Sequence, residues 1–143
     1  SWIQNLNWLE RAKSEGYDEV ILLDEHGQVS ECTSANIFAI TSDGVWTPPL
    51  TSGCLPGVTR AILLEEIHVP GLPIGERPLS LEDLYSAKSV FITSTTRNLL
   101  AVSSIGGKTL TAGDAGRDKL QAAFADYRAS YMRNVAALTN VGT

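Results

Sequence analysis

Three short stretches carry side chains that could do chemistry. "GQVSECTSANIF", Gly27 to Phe38, ends an apolar-alternating segment on a single carboxylate, Glu31, with Asn36 shortly after it. "LPGVTR", Leu55 to Arg60, sets Pro-Gly at the start of a helix. At such a helix head the free backbone N–H groups and the helix dipole attract an anion, above all a phosphate. There Gly57 would let a backbone approach closely, and Thr59 adds a hydroxyl donor. "TSTTRN", Thr93 to Asn98, follows an apolar strand and carries donors on Thr93, Ser94, Thr95, Thr96 and Arg97. Hydroxyls and a guanidinium at a strand end suit recognition of a phosphate or a carboxylate.

Taken singly, each stretch also has a plainer reading. Glu31 could face solvent or pair with a nearby cation, "LPGVTR" could be only a turn, and "TSTTRN" could be a solvated loop. Other chemistries fail on the residues themselves. His26 falls in a turn and His68 at a helix end, so they make neither a metal site nor a charge-relay base. The nucleophile elbow, the P-loop and the dinucleotide fingerprint are all missing from the sequence. Asp24 and Glu25, read as strand neighbours, would point to opposite faces, which argues against a paired-carboxylate mechanism.

The elements that must position these stretches follow from periodicity. Trp2, Ile3, Leu6, Leu9 and Ala12 recur at helical spacing, predicting an amphipathic helix that ends near Gly16. Val20–Leu23 and Gln28–Cys32 predict two strands joined by a turn at His26-Gly27. "NIFAITSDGVWTP" repeats the design around Asp43-Gly44, a strong hairpin signal. A Pro- and Gly-rich loop follows, then a helix from Thr59 with Ile62, Leu63 and Ile67 on one side and Glu65 and Glu66 on the other. Ser80 and Asp83 read as a capping box opening a short helix. "KSVFIT" predicts a buried strand, and "LLAVSSIGGKTL" a strand, a Gly-Gly turn and a strand. A long closing helix carries Leu120, Phe124, Tyr127 and Tyr131 on one stripe, with a frayed tail from Leu138. Strands, helices and local hairpins together predict an α/β domain of α+β character built on a mixed sheet.

Bulk properties narrow the classes. The chain has 143 residues, enough for one domain with one sizeable core, and is 43% hydrophobic and 19% charged. A net charge of −5 argues against a nucleic-acid grip and fits a protein that handles small molecules. No apolar run approaches the roughly 18 residues a membrane span needs. Cys32 and Cys54 lack CxxC spacing and are expected as reduced, buried or semi-buried thiols. With a start, "SWIQNLNWLERAK", that shows neither a basic leader nor a signal-peptide segment, a cytoplasmic setting is expected.

The order of the pieces carries more than any one of them. "ECTSANIF", "VWTPP", "LPGVTR" and "VFITSTT", preceded by the pattern G-x-D-E-x-x-x-L-D, together resemble the pyridoxal-phosphate-dependent class IV aminotransferases over about Ser1 to Ile105. That family includes branched-chain aminotransferases, D-amino-acid aminotransferases and aminodeoxychorismate lyases. The resemblance implies the D-amino-acid aminotransferase-like fold, with residues 1–143 forming the large C-terminal, cofactor-binding domain and the family's small N-terminal domain absent from the chain.

The resemblance also implies roles. Glu31 matches the acid that faces the pyridine nitrogen of pyridoxal 5′-phosphate, Leu55, Gly57, Val58 and Thr59 match the ring-packing and phosphate-binding segment, and Ser94 and Thr95 match the second phosphate contact. Asn36 would anchor its loop. Thr96 and Arg97 fall where the family handles the substrate carboxylate. Many branched-chain members have small residues there, so Arg97 implies either a more anionic substrate or an outward-pointing side chain. A tyrosine that contacts cofactor in some members falls near Trp2. No metal is implied. None of Lys13, Lys88, Lys108 and Lys119 matches the Schiff-base lysine, which is expected just before Ser1, so no catalytic residue is assigned within the chain.

The implied activity is transamination between an amino acid, branched-chain in type, and a 2-oxo acid, in a homodimer with the active site near the subunit boundary. Aminodeoxychorismate lyase, which releases pyruvate, is the rival within the family. A non-catalytic module that binds a phosphorylated small molecule or a partner subunit is the rival outside it. The sequence leaves the substrate and its stereochemistry open.

Overall fold

Ile37 to Ile40 is apolar at every position rather than at alternate ones, the pattern of a strand covered on both faces. A computed structural model describes residues 10–11, 13–32, 35–54, 56–93, 98–110 and 115–140. In chain order the elements are β1 (Ile21–Leu23), β2 (Val29–Cys32), β3 (Asn36–Thr41), β4 (Gly44–Thr47), α1 (Val58–Glu65), β5 (Ile74–Glu76), α2 (Leu81–Ser86), β6 (Ser89–Thr93), β7 (Leu99–Ala101), β8 (Ser104–Ile105), β9 (Lys108–Thr109) and α3 (Ala115–Asn140). Five strands form one sheet in the order β5-β4-β3-β6-β7, and β3 is its centre. The pairings are antiparallel except β4 with β5, so the sheet is mixed, as the sequence predicts.

Both faces of β3 are indeed buried. Phe38 and Ile40 pack with Leu63 of α1, Ile67, and Leu120 and Phe124 of α3. Ile37 and Ala39 face the other way, into Val29 and Cys32 of β2, Leu79, and Leu84 of α2. Phe38 is paired directly with Phe91 of β6, and their rings stack with centroids 5.0 Å apart. The result is a sheet between two layers, helices α1 and α3 on one side and the β1–β2 hairpin with α2 on the other.

Local predictions hold at several points. The Ser80 hydroxyl accepts from the Asp83 N–H, and the Asp83 carboxylate accepts from the Ser80 N–H, completing the capping box. Both cysteines are buried thiols outside any disulfide. Residues 10, 11, 13 and 14 are helical, and the turn at Gly16 has φ +91°, so the described end of the first helix agrees with its expectation.

Others need correction. Asp24 is a turn residue: its carboxylate accepts from the N–H groups of His26 and Gln28 at 2.8 and 3.0 Å, closing the hairpin. Strand β5 was not predicted, because "PIGERP" offers only three pairing residues between prolines. Gly75 within it packs tightly, since a Cβ there would stand 3.0 Å from the Trp46 ring and press on it. In α3 the apolar stripe stops early. Leu120 and Phe124 are fully buried, but Tyr131 is 58% exposed, because the side chains of residues 128–134 are all exposed. The backbone of α3 stays helical to Asn140, beyond the expected fraying point.

Candidate functional site

The head of α1 is built by the loop that leaves β4. Pro49 enters a single 3-10 turn, Leu50–Ser52, which Gly53 ends in the left-handed conformation at φ +93°. Gly57 is the N-cap of α1, in extended conformation and with no side-chain cap. The first intrahelical bond runs from the Ala61 N–H to the Gly57 carbonyl. The amides of Val58, Thr59 and Arg60 therefore have no acceptor within the helix and are free to serve a ligand. Val58 is 71% exposed at this end, whereas Thr59 is buried.

Three strands converge on this helix head. A Cβ on Gly57 would collide with the Oδ1 atom of Asn36, the first residue of β3. Asn36 is in turn paired with Thr93, the last residue of β6, from which residues 94–97 depart. A Cβ on Gly53 would lie 3.7 Å from the Ser30 hydroxyl of β2, so the loop also runs against the strand that holds Glu31. The fold thus gathers the backbone beside Glu31, the uncapped head of α1 and the strand end preceding Ser94.

The residues expected at the site divide accordingly. Gly57, Val58 and Thr59 stand at the helix head. Glu31 lies in β2 opposite Leu22, with only its backbone described. Leu55, Ser94, Thr95, Thr96, Arg97 and Trp2 lie outside the described residues. Lys13, Lys88, Lys108 and Lys119 are all exposed. His26 and His68 are exposed too, and the described residues contain no cluster of groups suited to a metal.

Sequence reasoning missed Arg60. A cation in the first turn of a helix, among polar neighbours, reads as a solvated side chain, yet only 4% of Arg60 is exposed. Its Nη2 donates to the Pro48 carbonyl at 3.0 Å and to the Glu76 carboxylate of β5. Only the three-dimensional return of the chain to β5 brings that carboxylate to it, so no local signal could have found the pair. At the opposite end of β3, Asp43 is held well below the ordinary carboxylate range, from 3.8 down to about 2. The Thr41 hydroxyl is the main cause, followed by the Trp46 indole, with Arg77 adding its charge. That cluster belongs to the hairpin turn.

With this geometry in place, comparison with known proteins decides the lineage. The family model for amino-transferase class IV matches residues 1–105. The chain belongs to that class IV family. Among class IV relatives, the branched-chain-amino-acid aminotransferase of Escherichia coli K12 is 36% identical over 115 residues, covering 79% of this chain and 37% of that enzyme. The solved structure of the Escherichia coli branched-chain aminotransferase superposes with a TM-score of 0.77 at 33% identity, over 86% of this chain and 42% of that one. A branched-chain aminotransferase from Thermoproteus uzoniensis, solved with norvaline, gives 0.79 at 29% identity, over 87% and 41%. The chain spans less than half the length of the curated relatives it matches. The mixed sheet is thus the class IV fold.

Proposed function

We propose that this chain is the cofactor-binding domain of a pyridoxal-phosphate-dependent aminotransferase that moves an amino group between a branched-chain amino acid and a 2-oxo acid. The observation that carries the reading is the head of α1, without a side-chain cap and seated at Gly57 against the side-chain amide of Asn36. An anion fits the open end of this helix: the amides of its first turn have no acceptor within the helix, and the dipole favours negative charge. The names of the relatives support the branched-chain substrate class.

When bound, pyridoxal phosphate supplies an electron sink for the substrate's α carbon. The chain's own residues bind and orient. Gly57, Val58 and Thr59 would hold the phosphate with their amides and the Thr59 hydroxyl, and Ser94 and Thr95 would be its second contact. Leu55 and the exposed Val58 side chain offer apolar surface to the ring. Glu31 holds a proton at the ring nitrogen. Thr96 and Arg97 orient the substrate carboxylate, and Trp2 borders the substrate. None of the four exposed lysines is given the Schiff-base role. The same reading carries a cytoplasmic homodimer. It is supported by the family resemblance.

The test is a visible absorption spectrum of the full-length protein with added pyridoxal 5′-phosphate. A band that shifts on adding leucine, isoleucine or valine, together with oxo-acid-dependent glutamate formation, is the expected outcome. A spectrum indifferent to every amino acid sinks the proposal, and pyruvate release from aminodeoxychorismate would replace it with the lyase reading.

A further inference from the structure

Arg60 is placed where simple electrostatics disfavours it. It occupies the first turn of α1, whose dipole repels a cation, and its guanidinium is almost wholly buried. Burial of that kind persists only when the geometry uses it. Here Nη2 reaches two acceptors that belong to the two ends of one structural problem. The Pro48 carbonyl is the first backbone acceptor after β4, at the start of the loop that ends in Gly57. Glu76 closes β5 and is paired in parallel with Thr47, the last residue of β4. One guanidinium therefore ties the first turn of α1 to the mouth of its own loop and to the ends of two adjacent strands. Its Nε is buried without a hydrogen-bond partner, so the side chain is held by the Nη2 contacts rather than by full satisfaction of its donors.

We propose that Arg60 is the positioning residue of the anion seat: it fixes the direction in which the amides of Val58 and Thr59 point, without itself touching the ligand. This rests on the phosphate reading of the α1 head given above. Glu76 is its orienting partner. The carboxylate is 43% exposed on its side chain, so it can be altered with less disturbance than Arg60.

The test separates the phosphate from the rest of the ligand. Affinities of the full-length protein for pyridoxal 5′-phosphate and for pyridoxal are measured by fluorescence titration, with inorganic phosphate as competitor. Their ratio is the preference for the phosphate. Arg60→Met is expected to reduce that preference by about ten-fold or more, the scale of loss for residues that orient a binding group from behind. Affinity for pyridoxal itself should stay nearly unchanged. Arg60→Lys, with one compact ammonium in place of a fork, should restore only part of it. Glu76→Gln should lower the preference by less than Arg60→Met. An unaltered preference in Arg60→Met, or an equal loss for both ligands, overturns the assignment. If Arg60→Met does not fold, Glu76→Gln decides, and an unaltered preference there overturns it. Wild-type protein that binds both ligands equally removes the phosphate reading together with the role of Arg60, an outcome distinct from failure of the variants alone.

Discussion

The side-chain oxygen Oδ1 of Asn36 stands where it would collide with a β-carbon on Gly57. Gly57 has φ −63°, which any residue can adopt, so the need for glycine here is one of room rather than of backbone conformation. Gly57→Ala should destabilise the fold by about 1–3 kcal/mol, the usual cost of overpacking. It should also weaken binding of pyridoxal 5′-phosphate. Urea unfolding and a cofactor titration on the same variant measure both, and a variant matching wild type in each would mean that Asn36 yields freely.

Under the role proposed for Glu31, Glu31→Gln keeps the size of the side chain and removes the charge that would hold a proton on the ring nitrogen. Cofactor binding should be largely retained while turnover falls by about 100-fold or more, the range associated with a positioned proton-handling group. Turnover equal to wild type would take Glu31 out of the role.

Phe91 is fully buried against Phe38 at the middle of the sheet, so its removal leaves a void lined by strands that cannot collapse. Phe91→Ala should cost about 3–5 kcal/mol. The urea midpoint should drop with little change in slope, and a shift under about 1 kcal/mol would show that the core repacks.

Asp43 titrates near 2 in the fold against an ordinary value of 3.8. A carboxyl depressed in the folded state stabilises it above the ordinary value, and that contribution is lost as pH falls from 3.8 towards 2. Asp43→Asn should therefore melt lower than wild type at neutral pH, and the two melting curves should converge as pH drops through this window. Melting temperatures that stay equally far apart from pH 6 to pH 2 would contradict the linkage.

Local chemistry was legible in the sequence wherever neighbours along the chain decide the structure. Ser80 and Asp83 cap each other, Asp43 sits in a two-residue hairpin turn, and Leu63 faces the core, all from patterns a few residues wide. The helix head at Gly57 was legible for the same reason, since Pro-Gly before an apolar period marks it. What stayed hidden depends on distant segments. Strand β5 exists because β4 offers it an open edge, not because "PIGERP" favours extension. The burial of Arg60 needs Glu76 to come back beside it. Tyr131 keeps the spacing of a core residue, but spacing alone does not reveal where the apolar neighbours of α3 give out.

The parallel pairing of Thr47 with Glu76 has a consequence for the molecule's outer rim. That rim strand can join only after the chain has travelled out through α1 and back, and Arg60 latches the outward and returning legs together. On the role proposed for Arg60, filling the helix head and fraying the margin of the sheet would oppose each other, and a small anion would stiffen a strand it never meets.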